Sequence, residues 1–196
     1  MIKAIIFDCF GVLYPDTYWL MADEYLGQRI NEYRDELHNL VKKVDLGLIT
    51  RDELWGEFAQ IVGVTKEEVY SRLKQFSGLD GRILDFIDNH KNKYKIGMIS
   101  NVGHGFIERM FVERPASDYF DDIVLSSDVG LVKPDERIYK LSADRLGVDA
   151  SECVFIDDLE KNVTGAIDAG MSTIKYESFE QFIKEIEPML MSNGDN

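Results

Sequence analysis

The side chains able to do polar chemistry follow four short apolar runs: Asp8 after the first, Ser100 and Asn101 after the second, Lys133 beyond the third, and Asp157 with Asp158 after the fourth. A strand-end carboxylate such as Asp8 can attack phosphorus or carbon and split a hard hydrolysis into two easier steps. Two further carboxylates brought beside it raise one another's pKa unless a cation intervenes. Mg²⁺ suits that need, because it takes oxygen ligands octahedrally and keeps several waters, so few carboxylates suffice. Ser100 and Asn101 offer a hydroxyl and an amide to phosphate oxygens, and Lys133 brings a point charge. Each has a plainer reading, since a lone strand-end Asp is more often a turn former or helix cap. For Asp157 the cap remains a strong alternative.

The elements that must position these groups can be read from periodicity. Ala4–Phe7, Ile96–Ile99, Ile123–Leu125 and Val154–Ile156 are continuously apolar, as buried strands of a parallel sheet are, and Ser172–Lys175 is a fifth candidate. Helical patterns lie between and beyond them over 80–90, 102–111, 134–146, 160–169 and 179–190. Such alternation predicts a doubly wound, Rossmann-like α/β core, in which ligands bind beyond the carboxyl ends of the strands. Pro134 is expected at the first position of its helix, where a missing N–H costs nothing. The alternation fails between the first strand and Asp80, where only helix signals occur. One long helix is expected from near Asp16 to Val44, a second from Thr50 and a third from Thr65, the last two with a Glu three residues on that forms a capping box. The expected division is a core of residues 1–14 and 80–196 and an all-helical cap of residues 15–79, inserted after the first strand.

The stretch Phe7-Asp8-Cys9-Phe10-Gly11-Val12-Leu13 resembles the first motif of the haloacid dehalogenase superfamily. Met98-Ile99-Ser100-Asn101 is similar to the second, Lys133-Pro134 to the third, and Phe155-Ile156-Asp157-Asp158 with Asn162 and Gly165-Ala166 to the fourth. The four stand in order at expected strand ends and cover nearly the whole core. The resemblance implies a hydrolase with Asp8 as nucleophile and Lys133 as its catalytic partner. It implies Mg²⁺ held by Asp8, the main-chain carbonyl of Phe10 and Asp158, with Asp157 acting directly or through water. The substrate implied is a small phosphorylated metabolite.

One position departs from the pattern. Phosphatases of the superfamily place an aspartate two residues after the nucleophile, to protonate the leaving alcohol and then activate water. Here Phe10 stands there, and the general acid/base it replaces is worth about 10²–10⁴-fold. The 2-haloacid dehalogenases carry an aromatic residue at that position, because halide leaves without a proton. Their metal-free chemistry sits poorly with an acidic pair in the fourth motif, since carboxylates facing an anionic haloacid without a cation repel it. A Mg²⁺-dependent phosphatase is the expectation; the metal-free dehalogenase and a catalytically weak phospho-ligand-binding protein are the alternatives.

Composition bounds the rest. The 22 Lys and Arg against 36 Asp and Glu give a formal charge of -14, which repels nucleic acid and anionic lipid. Two cysteines, Cys9 and Cys153, give no disulfide framework, and no stretch reads as a leader or membrane span, so a cytoplasmic protein is expected. Cys9, Trp19 and Trp55 are expected as packing residues, and His38, His90 and His104 without a role.

Overall fold

The computed structural model describes residues 1–191 apart from Ser77, His104, Phe106 and the side chain of Glu108; the expectation for His104 and that of a frayed tail beyond Met191 lie outside the described residues. In chain order the elements are β1 (Ala4–Phe7), α1 (Thr17–Leu26), α2 (Arg34–Asp45), α3 (Arg51–Val62), α4 (Lys66–Leu73), α5 (Gly81–His90) and β2 (Lys95–Ser100). They continue with α6 (Ile107–Met110), β3 (Asp122–Leu125), α7 (Ser126–Val129), α8 (Glu136–Leu146), β4 (Cys153–Asp157), α9 (Glu160–Asp168), β5 (Ser172–Lys175) and α10 (Phe179–Met191).

The strands form one parallel sheet in the order β3-β2-β1-β4-β5. All four residues of β1 are buried, because helices cover both faces of the sheet. Successive side chains point to opposite faces, so Ile5 and Phe7 pack with Ile83 and Ile87 of α5 and Phe182 and Ile186 of α10, while Ala4 and Ile6 pack with Ile138 and Tyr139 of α8 and Ala166 of α9. The core is the doubly wound α/β fold expected, with helices inserted between β1 and β2.

The insert has its own apolar cluster, in which Tyr18, Met21, Leu37, Leu40, Trp55, Phe58 and Val69 are buried together. Both capping boxes form: Thr50 N donates to the Glu53 carboxylate at 2.7 Å and Thr65 N to that of Glu68 at 2.8 Å, satisfying amides that a helix start leaves free. The single helix expected from Asp16 to Val44 is instead two. Gly27, with φ at +51°, ends α1, a 3-10 turn spans Gly27–Glu32, and α2 restarts at Arg34. The apolar spacing runs on through Ile30 and Tyr33 across this break, but neither is fully buried, so periodicity persisted where the backbone did not.

Two further boundaries differ. Of the helix expected over 102–111, Ile107–Met110 is helical; Gly105, at φ +69°, adopts a left-handed conformation that ends or precedes helices rather than continuing them. Pro134 is not the first helical residue. Asp135 caps α8 by accepting from Arg137 N at 3.0 Å, and Pro134 lies in the preceding loop against Gly165, where a Cβ would come within 2.5 Å of the Pro134 oxygen. Among the described residues, no helix is long and apolar enough to cross a membrane.

Candidate active site

The carboxyl ends of β1 and β4, the residue after β2 and the loop after β3 bring Asp8, Asn101, Lys133, Asp157 and Asp158 to one place. Asp8 extends the sheet by one residue, its N–H donating to the Ile156 carbonyl at 2.8 Å. Its Oδ1 accepts from Cys9 N at 2.6 Å and lies 2.7 Å from Lys133 Nζ. The same ammonium donates to Asp157 Oδ2 at 2.7 Å. Side-chain exposure is 1% for Lys133, 7% for Asp8 and 0% for Asp157, so this bridge is made away from water. Lys133 is therefore held strongly cationic, its pKa raised by the two carboxylates against the effect of burial.

Asp157 is already committed. Its oxygens also accept from Leu159 N at 2.8 Å and from Asn162 Nδ2 at 3.0 Å, so it anchors Lys133 and shapes the turn into α9. Asp157 thus joins the acidic cluster, whereas the helix cap that was its alternative reading is not formed: the N-cap residue of α9 is Leu159, and Asp157 binds the amide of that residue in the turn before the helix. Asn101 clamps the other end of the lysine: its Oδ1 accepts from Lys133 N at 2.8 Å and its Nδ2 donates to Lys133 O at 3.1 Å. Ser100 Oγ is buried at the end of β2 without a hydrogen-bond partner among the described residues.

Asp158 completes the set. Ligand atoms of Asp8, Asp157 and Asp158 lie within 4.8 Å of one another. Its Oδ1 is buried and accepts nothing among the described residues. Burial, then the charge of Asp157, pushes its carboxyl up to about 6, and burial pushes Asp8 well up despite Lys133. Three carboxylates thus face one ammonium, and the orphaned oxygen of Asp158 belongs to the group with no cation of its own. That donor set, all oxygen and in excess of the available positive charge, fits Mg²⁺. Gly11 makes the approach possible: at φ +84° it passes so close that a Cβ there would overlap the Asp158 carboxylate.

The site opens into a cavity of about 410 Å³ between the core and α1–α3. Phe10 lines it, with its ring edge-on to Tyr14 at 6.3 Å. Trp19 and Trp55, expected as packing, also line it, and His38, expected without a role, stacks tilted on Trp19 at 4.6 Å in the same wall. Asp16, Asp45 and Arg51 were not singled out in the sequence, and all three line the cavity. Asp16 gives only a cap signal, and it does cap α1. Asp45 and Arg51 flank a helix-helix loop and carry no signal of their own. Cys9 is buried and its thiol is pushed well up by burial, as expected of a packing residue.

A testable consequence concerns stability. A carboxyl raised in the folded state binds protons that the unfolded chain has released, so its contribution falls as pH rises between the unfolded value near 3.9 and the folded one. For Asp158 that window runs from about 4 to about 6. Metal-free Asp158→Asn is therefore expected to gain in melting temperature relative to the parent as pH rises across it, and to be the more stable protein at pH ~7.5. Thermal melts of both proteins in chelator at several pH values check this. A difference independent of pH would mean that the carboxylate of Asp158 is not held under strain.

The sequence profile of haloacid dehalogenase-like hydrolases matches residues 2–170. Acyl-CoA dehydrogenase family member 10 of Mus musculus is 42% identical over 71 residues, 36% of this chain and 7% of that protein, so the chain spans only a small part of such relatives. The D-ribitol-5-phosphate phosphatase of Bacteroides thetaiotaomicron is 24% identical over 208 residues, 98% of this chain and 100% of that one. Among solved structures, a HAD family enzyme of Bacteroides thetaiotaomicron, in complex with magnesium and inorganic phosphate, shares the fold with a TM-score of 0.71 at 23% identity, over 93% of this chain and 99% of that chain.

Proposed function

The chain belongs to the haloacid dehalogenase-like hydrolases, and on that footing we propose that it is a Mg²⁺-dependent phosphatase of small phosphorylated metabolites. The observation that carries this reading is the buried bridge of Asp8, Lys133 and Asp157 beside an Asp158 oxygen that has no partner among the described residues. A metal-free dehalogenase has no use for that surplus of carboxylates, whereas phosphoryl transfer with Mg²⁺ requires it.

Asp8 attacks phosphorus with one carboxylate oxygen while Lys133, 2.7 Å from Oδ1, orients it and lends positive charge to the transferring group. The unpartnered Ser100 hydroxyl donates to a phosphoryl oxygen. Asn101 acts on the same event by fixing the Lys133 backbone, and its amide retains capacity toward the phosphate. Asp8, Asp158 and the Phe10 carbonyl would hold the metal, with Asp157 reaching it through water because its oxygens already accept three donors. Bound Mg²⁺ supplies neutralisation of these carboxylates and of the phosphoryl oxygens. The insert, taken as residues 15–79, acts as a cap that selects the substrate, since α1, α2 and α3 form the cavity wall facing Asp8. The relative that acts on ribitol phosphate supports a polar phosphate ester of metabolite size.

Calorimetry with MgCl₂ is expected to show one ion bound per chain, and Asp158→Asn to weaken it at least about tenfold. Mg²⁺-dependent release of phosphate from an aryl phosphate is the accompanying activity. Chloride release from chloroacetate at equal rates with and without Mg²⁺ would replace this reading by the dehalogenase, and tight phosphate binding without turnover would replace it by a binding protein.

A further inference from the structure

We propose that Asp45, carried by the helical insert, is the proton donor to the leaving group that Phe10 cannot be. The inference rests on the phosphatase reading, and it begins from the place of Asp45 in the fold. Asp45 is the last residue of α2, whose C-terminal end is fastened to the core beside the site. The Ser126 hydroxyl donates to the Asp45 carbonyl at 2.7 Å and accepts from Val102 N at 3.0 Å, tying the helix end to the loop that begins with Asn101 after β2. Val44 packs against Gly103 of the same loop so closely that a Cβ on Gly103 would meet it at 3.1 Å. The main chain at Asp45 is thus held by the core, although the residue belongs to the insert, and its side chain lines the cavity.

Among the carboxyl groups of the cavity, Asp45 is the one suited to carry a proton. Asp8 and Asp158 belong to the acidic cluster. Asp16 is engaged as the cap of α1, accepting from Trp19 N at 3.5 Å; burial raises its carboxyl, and this bond works against that rise. Glu160 is paired with Lys175 at 3.1 Å. The Asp45 carboxyl accepts no hydrogen bond from any described residue and stands at a helix C-terminus, where the backbone dipole opposes a negative charge. Burial pushes it up to about 7, against the nearby charges of Lys133 and Lys161 and with that of Asp16. Asp8, Arg51, Asp158 and Glu160 are the other charged groups facing the same cavity from outside α2, and His38 is the titratable histidine facing it from α2 itself.

The step balances without a further reagent. As an Asp8 oxygen bonds to phosphorus and the ester P–O bond breaks, the Asp45 O–H proton passes to the departing alkoxide, which leaves as an alcohol. Asp45, now a carboxylate, takes a proton from the water whose oxygen attacks phosphorus, and the P–O bond to Asp8 breaks. Phosphate leaves, and both carboxyl groups return to their starting states.

The test uses the full chain with Mg²⁺ and two esters, glycerol phosphate, whose leaving group needs a proton, and dinitrophenyl phosphate, whose leaving group does not. Asp45→Asn is expected to lower kcat/KM for the first by about 10²–10⁴-fold and for the second by less than about tenfold. A carboxyl titration by NMR in metal-free protein, labelled at aspartate, is expected to show one resonance, absent from Asp45→Asn, with a midpoint near 7. Equal losses for both esters, a midpoint near 4, or the leaving-group dependence appearing in Asp16→Asn instead would overturn the assignment. Parent protein that hydrolyses neither ester would remove the phosphatase reading itself, and this inference with it.

Discussion

Asp8→Asn is expected to remove phosphatase turnover, by about 10⁴–10⁶-fold as for other enzymes deprived of a catalytic-site nucleophile or its partner, while leaving the fold intact. The amide cannot form an acyl phosphate in place of the carboxylate, so the loss falls on kcat. The stability expectation runs the other way. Asp8 is 5% exposed and its carboxyl is pushed well up by burial, so its charge weakens the folded state. An Asn oxygen can still accept from Cys9 N and from Lys133, which keeps Asp157 as its ionic partner. The melting temperature of the metal-free variant at neutral pH is therefore expected to equal or exceed that of the parent. Phosphate release and a thermal melt on one preparation check both halves. Substantial turnover by a variant shown free of parent protein would exclude Asp8 as the nucleophile.

The second large effect is on the lysine between the acids. Lys133→Met leaves Asp8 and Asp157 buried without their cation, and breaking a buried pair in this way costs about 3–5 kcal/mol. The sign with pH follows from both partners. Lys133 has a raised pKa, so its stabilisation is complete below the unfolded value of about 10.4 and is lost as pH rises through the folded one. In the variant the stranded carboxylates can be neutralised only by protons, so the deficit relative to the parent narrows as pH falls. Urea unfolding at pH ~8 and pH ~5 is expected to show the larger gap at the higher value. The same loss at both would mean that missing packing, and not unpaired charge, is what the variant suffers.

Four strands were legible because they read as unbroken apolar runs, as strands covered on both faces do; the fifth, Ser172–Lys175, carries no such run and is only partly buried, yet lies where the fifth candidate was placed. The residues gathered at their ends were legible for the same reason, since strand ends in a parallel sheet converge. The division of labour among them was not. The sequence set Asp157 apart only as the one of the pair that could cap a helix or act through water; that Lys133, Asn162 and Leu159 N saturate it, while an Asp158 oxygen has no partner among the described residues, is read from the structure. Asn101 likewise read as a phosphate ligand, and the structure shows its amide bound to the Lys133 backbone as well. In the insert, spacing located the apolar faces but missed the break at Gly27, because a 3-10 turn continues a helical pattern closely enough to hide it. The wall built from Trp19, His38 and Asp45 was illegible for a different reason. A helix face that meets another domain across a cavity looks, in one dimension, like any half-buried face.

The sheet order carries a consequence for the order of events when the chain is made. β1 precedes the other strands of the sheet in the chain but pairs with β2, where Ala4 meets Lys95, and with β4, where Ala4 meets Cys153. At translation rates of roughly 5–20 residues per second, Asp8 waits on the order of ten seconds or more for both neighbours to be synthesised. The helices of the insert, whose partners are near in sequence, can collapse meanwhile. Long-range parallel pairing comes late because loop closure precedes any contact that rewards it. Asp8 is thus made well before the strands that come to surround it. A nascent chain arrested before β4 would display the apolar β1 with an exposed edge, a species for chaperones to hold rather than an enzyme in waiting.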